Sequence, residues 1–146
     1  MKLISNRGNV DGLNAELENT LVYIQEAINR GYDVKIDLWV KEGKLYLGTN
    51  EPKTPLDIDW LERNRHKLWL QCRSIEVISK FTNLDSSGHN IHFFWHDSNK
   101  VSLTNRGYMW CEPGEIVPGG IVYQPVYCDD IEGFYGVCSD NINQYK

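Results

Sequence analysis

The sequence has little positive charge, no long apolar run and no closely spaced cysteine pair. Its 146 residues include 15 Lys and Arg against 20 Asp and Glu, a formal net charge of −5. A chain of this sign lacks the dense basic face that general DNA or RNA binding requires. No apolar run approaches the roughly 20 residues that cross a bilayer, and the first residues do not form a secretory signal. We therefore expect a cytoplasmic protein without nucleic-acid polymers or membranes as partners.

Cysteine usage excludes two further classes. Cys72, Cys111, Cys128 and Cys138 form no C-x-x-C pair, so neither a zinc knuckle nor a thiol redox motif is indicated. Without a secretory signal we expect free thiols. We predict no cofactor and no metal. With 41% hydrophobic and 24% charged residues, the composition is typical of a globular chain, and the length favours a single domain over residues 1–146.

Apolar periodicity predicts strands and helices that alternate in the first half of the chain. The predicted strands there are 2–5, 34–40, 44–48 and 68–72, and the predicted helices are 18–31, 57–65 and 74–84. Beyond residue 88 the helical pattern disappears, and four apolar runs typical of strands follow at 91–95, 107–111, 121–127 and 134–138. About eight strands that alternate with helices suggest either an open α/β sheet or a (β/α) barrel, which ordinarily takes roughly 250 residues.

Four segments near the N-terminus follow a characteristic order: Ile4–Asn9, Glu18–Thr20, Ile36–Trp39 and Leu47–Asn50. They resemble the glycerophosphodiester phosphodiesterase (GDPD) family, whose pattern is H-R-G, E-N-T, E-x-D and H-D. Later segments resemble small members of that group: 94–96, 102–104, 107–110 with 113–114, and 137–140. The resemblance implies a reduced TIM-like (β/α) barrel of about eight strands with few helices in its C-terminal half. It also implies two histidines as general acid and base, a metal held by carboxylates and an arginine that grips phosphate.

The sequence departs from this pattern at the chemically active positions. Asn6 and Thr49 stand where the family has its two histidines, and neither side chain exchanges protons near neutral pH. Lys35 replaces the glutamate of E-x-D, and its ammonium group would repel Mg²⁺ or Ca²⁺. Gln71 stands where small relatives carry another histidine. Arg7, Glu18, Asn19 and Asp37 match the family. We therefore predict a catalytically inactive pseudoenzyme.

The remaining side chains suggest an anion site. Strand alternation places Lys35 and Asp37 on one face, where a barrel of this type has its mouth. Arg7 and Arg73 would join them around the former phosphate position, and tryptophans would stack on a base or cover a sugar. The predicted ligand-binding residues are Asn6, Arg7, Glu18, Lys35, Asp37, Trp39, Thr49, Gln71, Arg73, Trp95, Trp110 and Asp140.

Several of these residues have a purely structural alternative. Arg7 would then pair with Asp37 or Glu18, Lys35 would be the counter-ion of Asp37, and the tryptophans would fill the barrel. Trp60 and Trp69 are predicted core residues, and His89 and His92 predicted surface residues. His96 and Asp97, as neighbours on a strand, would point to opposite faces and form no dyad.

The leading hypothesis is a pseudoenzyme that binds a phosphate-containing small molecule, either a nucleotide or a glycerophosphodiester-like compound. Its most specific version is a phage protein that sequesters the nucleotide signal of a bacterial defence system. One alternative is a metal-dependent phosphodiesterase that acts through His96, Asp37, Glu18 and Asp140. The other is a protein-interaction module on an inactive barrel. The oligomeric state does not follow from the sequence.

Overall fold

A mixed sheet of ten strands dominates the described part of the chain, which in this computed structural model comprises residues 1–84, 90–115, 117–126 and 130–146. The strands are β1 (Lys2–Asn6), β2 (Asp33–Lys41), β3 (Lys44–Leu47), β4 (Thr54–Leu56), β5 (Leu68–Cys72), β6 (Phe93–Phe94), β7 (Val101–Leu103), β8 (Met109–Cys111), β9 (Ile121–Tyr123) and β10 (Gly136–Ser139). The α-helices of the same residues are α1 (Leu21–Asn29), α2 (Ile58–Asn64) and α3 (Ile75–Leu84).

The sheet has the order β4-β3-β2-β1-β10-β9-β8-β7, with β5 paired to β2 and β6 paired to β5. The central ladders β5–β2, β2–β1, β1–β10, β10–β9 and β9–β8 are parallel. The ladders β2–β3, β3–β4 and β7–β8 are antiparallel. The sheet curls into a half-barrel. Its parallel strands end on one edge, and this edge carries the polar residues described below.

The predicted TIM-like (β/α) barrel of about eight strands is wrong, and so is the GDPD-type fold that the resemblance implied. The three short helices do not alternate with the strands around the sheet. Glu42 and Gly43 have φ of 52° and 76°, a turn geometry that returns β3 antiparallel onto β2 without a crossover. The segment from Glu112 to Gly120 joins the parallel strands β8 and β9, and it is shorter than the dozen or more residues of an ordinary crossover.

The predicted elements with clear apolar periodicity are present. β5 has the bounds predicted from the sequence, and α3 ends at the predicted Leu84. The helix predicted from Glu18 begins only at Leu21, because Asn19 has φ 58° and lies outside the helix. Strands β4 and β7 were not predicted. Each has three residues, and β4 contains Pro55, which an edge strand tolerates.

Two apolar layers cover the two faces of the sheet. On the convex face, strand residues such as Ile36 pack with Ile24 of α1 and Val77 of α3. The concave face holds a separate cluster of Ile4, Trp69, Phe94, Trp110, Ile121 and Cys138. Trp69 is a core residue, as predicted, and Trp60 is partly buried against the convex-side core.

Cys72, Cys111 and Cys138 are buried free thiols, which confirms the prediction for these three. Burial raises the pKa of Cys72 to about 12. Cys128 and His89 lie outside the described residues. Among the described helices, none combines the length and the apolar character that crossing a membrane requires.

His92 is buried, and its prediction as a surface residue is wrong. Its ring lies 4.3 Å from Trp69 and 5.6 Å from Tyr108 between centroids, and its Nε2 is 2.8 Å from Thr104 Oγ1. Burial lowers the pKa of His92 to about 4. The imidazole is therefore neutral at pH 7 and belongs to the aromatic packing.

This buried imidazole predicts a loss of stability in mild acid. Between about pH 6.5 and pH 4 the unfolded chain takes up a proton at His92 that the folded chain does not, so the free energy of unfolding falls as the pH falls. The expected loss over this range is at most about 3 kcal/mol. Urea unfolding at pH 7 and pH 4.5 should show this loss in the wild type and a smaller one in His92→Gln. An equal loss in both proteins would contradict it.

Candidate functional site

Three basic side chains surround the buried carboxylate of Asp37. Arg7 Nε lies 2.7 Å from Asp37 Oδ2, and Lys35 Nζ lies 2.9 Å from Oδ1. Arg73 Nε lies 3.7 Å from the same Oδ1. The Asp37 side chain is 0% exposed. We call Arg7, Lys35, Asp37 and Arg73 the Asp37 cluster; within it one negative charge faces three positive charges.

The end of β1 positions Arg7 across the neighbouring strand. Residues Asn6 and Lys35 are register partners in the parallel β1–β2 ladder. Arg7 then adopts φ 61°, and its N–H donates to the Lys35 carbonyl at 2.7 Å. Gly8 follows with φ 94°, and a Cβ there would approach Tyr23 Cδ2 to 2.8 Å. The turn therefore requires glycine, and it directs the Arg7 side chain towards Asp37.

Asn19 connects the Asp37 cluster to the loop before α1. Its Nδ2 donates to Asp37 Oδ2 at 3.0 Å and to Thr49 Oγ1 at 3.1 Å, and its Oδ1 accepts from the Asp37 N–H. Thr49 in turn donates to Glu18 Oε1 at 3.0 Å. Glu18 Oε1 is also 3.6 Å from Arg7 Nη1. Asn19 was not among the predicted site residues, although it belongs to the segment that resembles E-N-T.

Asp140, which follows β10, is held by three amide groups. Asn6 Nδ2 and Asn9 Nδ2 donate to its Oδ1 at 2.8 and 2.9 Å, and Gln124 Nε2 donates to its Oδ2 at 2.6 Å. Asn9 Nδ2 also lies 3.1 Å from Glu18 Oε2. Asn9 and Gln124 were not among the predicted site residues, because their pairing with Asp140 depends on the parallel contacts of β10 with β1 and β9.

One buried polar atom of this region has no hydrogen-bond partner. Asn6 is 1% exposed, and its Oδ1 accepts no hydrogen bond within the described structure. A buried acceptor left unpaired in this way costs about 1–3 kcal/mol. Such an atom in a folded protein requires a specific explanation.

Burial and the neighbouring charges act in opposite directions on the pKa values of the Asp37 cluster. Burial alone would raise the pKa of Asp37, but Lys35 and Arg7 outweigh burial and lower it. Burial lowers the pKa of Lys35, and the Asp37 charge opposes this effect. For Arg7, burial acts downward, yet the pKa is raised because Asp37 is so close.

The three candidate tryptophans occupy different environments. Trp39 borders the Asp37 cluster, with its Nε1 donating to the Gly48 carbonyl at 2.7 Å and the Arg73 guanidinium 5.9 Å from its ring centroid. Trp110 lies in the concave apolar cluster and stacks on Phe94, whereas Trp95 is 41% exposed. The structure brings only Trp39 to the charged residues.

A second group of hydrogen-bonded polar side chains lies beyond β6. His96 Nδ1 is 2.5 Å from Ser102 Oγ, and His96 Nε2 is hydrogen-bonded to Glu112 Oε1. Gln71, the register partner of Asp37, donates to the His96 carbonyl at 3.2 Å. Ser102 and Glu112 were not predicted as partners of His96, because no motif spacing links these residues.

The residues present do not fit the metal that the resemblance implies. Lys35 Nζ occupies the position next to Asp37 Oδ1, and amide or hydroxyl donors occupy the oxygens of Glu18 and Asp140. Within the described ranges no group of three or more His, Cys, Asp or Glu side chains is placed to hold a metal ion.

Comparison with protein-family models, with curated proteins and with solved structures gives no match for this chain. The resemblance to the phosphodiesterase family therefore stays a prediction.

The Asp37 cluster predicts strong coupling between its charges. Asp37→Asn should lower the free energy of unfolding by about 3–5 kcal/mol, because three cations lose their shared counter-ion. Lys35→Met should restore part of this loss in the double variant, since it removes one of the unpaired cations. Urea unfolding of both single variants and the double variant gives the coupling energy, which should exceed about 1 kcal/mol. Strictly additive losses would contradict the arrangement.

Proposed function

We propose that the chain binds a small phosphate-bearing molecule at the Asp37 cluster and does not cleave it there. The observation that carries this proposal is the convergence of Arg7, Lys35 and Arg73 on a single carboxylate at one end of the parallel strands. A guanidinium fork and an ammonium point charge are the groups that recognise phosphate oxygens in proteins.

Some N–H donors of the cluster have no hydrogen-bond partner among the described residues. A lysine ammonium has three N–H donors, and in the described structure Lys35 makes its hydrogen bond to Asp37 alone. The Arg7 and Arg73 side chains are 17% and 29% exposed, so both guanidinium groups reach solvent. Lys35 itself is 1% exposed, so an anion would approach the cluster through Arg7 and Arg73.

The nearby carboxylates do not cancel this excess of cations. Asp140 already accepts from three side-chain amides, and Glu18 accepts from Asn9 and Thr49 while lying 3.6 Å from Arg7. An incoming anion would meet the two partly exposed guanidinium groups rather than these occupied oxygens. Trp39, beside Arg73, offers an aromatic face to a base or a sugar.

The groups in the cluster explain why a bound ligand would not be cleaved there. It contains no histidine, and Asn6 and Thr49, at the two positions where the resemblance implies histidines, are hydrogen-bonded to Asp140 and Glu18. Neither group acts as a general acid or base near neutral pH. A nucleotide would satisfy both the cations and Trp39, and sequestration of a nucleotide signal is the most specific version of this function.

Calorimetric titration with inorganic phosphate and adenosine monophosphate tests the proposal. Arg7→Gln with Lys35→Met should weaken binding by about tenfold or more, because charge-assisted hydrogen bonds contribute about 1.5–3 kcal/mol each. Lys2→Gln with Lys67→Gln is the matched control. It also removes two positive charges, but near Asp33 at the opposite end of the strands.

The control double variant should bind as the wild type does. Equal losses in the two double variants would mean that net charge alone attracts the anion, and the proposal would be wrong. Thermal unfolding of each variant before titration ensures that folded proteins are compared.

A second candidate function is hydrolysis of a phosphate ester by the hydrogen-bonded side chains of Ser102, His96 and Glu112. The order of hydroxyl, imidazole and carboxylate is that of an activated serine nucleophile. Ser102 Oγ would attack the ester phosphorus while His96 Nδ1 takes its proton and passes it to the leaving alcohol. Water, deprotonated by His96, would then release the phosphoryl group and restore the serine hydroxyl.

Hydrolysis of bis(p-nitrophenyl) phosphate in the presence of a chelator tests this second candidate. It predicts p-nitrophenol release by the wild type and none by Ser102→Ala or His96→Gln. Ser139→Ala, which removes another buried serine hydroxyl, is the control that should keep activity. No release by the wild type would reject this candidate and leave the binding proposal intact.

A further inference from the structure

We infer that the chain has a second binding site, at the end of the parallel strands opposite the Asp37 cluster, and that this site takes a carboxylate carried on an aromatic body. A cavity of about 670 Å³ lies there, at the starts of β10, β1, β2 and β5, which are neighbours in the sheet. This volume is within the range of small-molecule pockets, about 300–1,000 Å³. The inference does not rest on the proposed function, because the two sites share no residue.

One buried carboxylate holds two lysines of this cavity in place. Lys2 Nζ lies 3.5 Å from Asp33 Oδ2, and Lys67 Nζ lies 3.6 Å from Asp33 Oδ1. Trp69 Nε1, from the concave apolar cluster, donates to Asp33 Oδ2 at 3.0 Å and so orients the carboxylate. The two lysine side chains stay 37% and 32% exposed, so a ligand in the cavity can reach both ammonium groups.

The lining of the cavity carries an excess of positive charge. Two ammonium groups, each with three N–H donors, share the single negative charge of Asp33. Lys146 adds a further ammonium group, and the Arg30 guanidinium is paired with Asp11 at 3.1 Å. The donors left for a ligand are therefore mainly ammonium point charges. Without a free guanidinium fork, this set favours a carboxylate over a phosphate.

Aromatic side chains form another part of the cavity wall, where Phe134 and Tyr135 precede β10. The Tyr135 ring packs against Tyr108, with centroids 4.9 Å apart, yet Tyr135 remains 39% exposed. The Lys2 N–H donates to the Tyr135 carbonyl at 2.9 Å, so the aromatic wall and the lysine pair are neighbours. A ligand ring can therefore lie against Tyr135 while its carboxylate contacts the ammonium groups.

Chemical-shift titration of the ¹⁵N-labelled protein with three probes tests the inference: 3-phenylpropionate, 3-phenylpropionamide and acetate. The acid should shift the amide signals of Lys2, Asp33 and Tyr135 and leave those of Arg7 and Lys35 in place. The amide lacks the charge and acetate lacks the ring. Each should therefore bind about tenfold more weakly than the acid or worse, since a charge-assisted contact or a ring contact is lost.

Two double variants separate the lysine pair from net charge. Lys2→Gln with Lys67→Gln should weaken binding of 3-phenylpropionate by about tenfold or more. Lys41→Gln with Lys44→Gln is the matched control, because it removes two exposed positive charges from the β2–β3 hairpin. The control should bind the acid as the wild type does. If the first double variant does not fold, the comparison of the three probes on the wild type still decides the question.

Several results would overturn the inference. Equal binding of the acid and its amide would mean that the lysines do not contact the ligand, and the absence of any shift would mean that the cavity binds neither. An equal loss of affinity in the hairpin control would leave net charge as the cause. Inorganic phosphate that shifts the cavity signals as strongly as the acid would contradict the choice of a carboxylate. Each of these results leaves the proposed function to its own titration at the Asp37 cluster.

Discussion

The buried carboxylate of Asp37 is the constraint on which this end of the sheet depends. Its two oxygens contact Arg7 from the turn after β1, Lys35 from its own strand, Asn19 from the loop before α1 and Arg73 from the residue after β5. Without the shared negative charge, three cations would repel one another at the end of the parallel strands.

Part of this arrangement could be predicted from the sequence. The pattern of apolar residues predicted β5. Strand alternation placed Lys35 and Asp37 on one face, and an ion pair between them was one of the two predicted roles of Lys35; the structure contains this ion pair. The curl of the sheet could not be predicted in the same way, because β4 and β7 are too short to show a period. The contact between Asn9 and Asp140 joins residues 131 positions apart and has no local sequence signature.

The residues that match the phosphodiesterase pattern lie close together, although the fold that the resemblance implied is wrong. These residues lie at one edge of the sheet, although the sheet lacks the alternating helices of the predicted barrel. At this edge the carboxylates accept hydrogen bonds from ammonium, guanidinium, amide and hydroxyl groups of the chain itself. These carboxylates act as acceptors within the protein, while the Arg7 and Arg73 side chains stay partly exposed.

The most direct test of the account is to follow a ligand through one cycle of binding and release. The protein would be incubated with cyclic and linear nucleotides and with glycerophosphodiesters, with and without Mg²⁺. Mass spectrometry would then measure the free compounds, and again the compounds released by heat denaturation. The account predicts that a phosphate-bearing compound leaves the free fraction and returns with unchanged mass, independently of Mg²⁺. Its return as a hydrolysed product, or no depletion of any compound, would contradict the account.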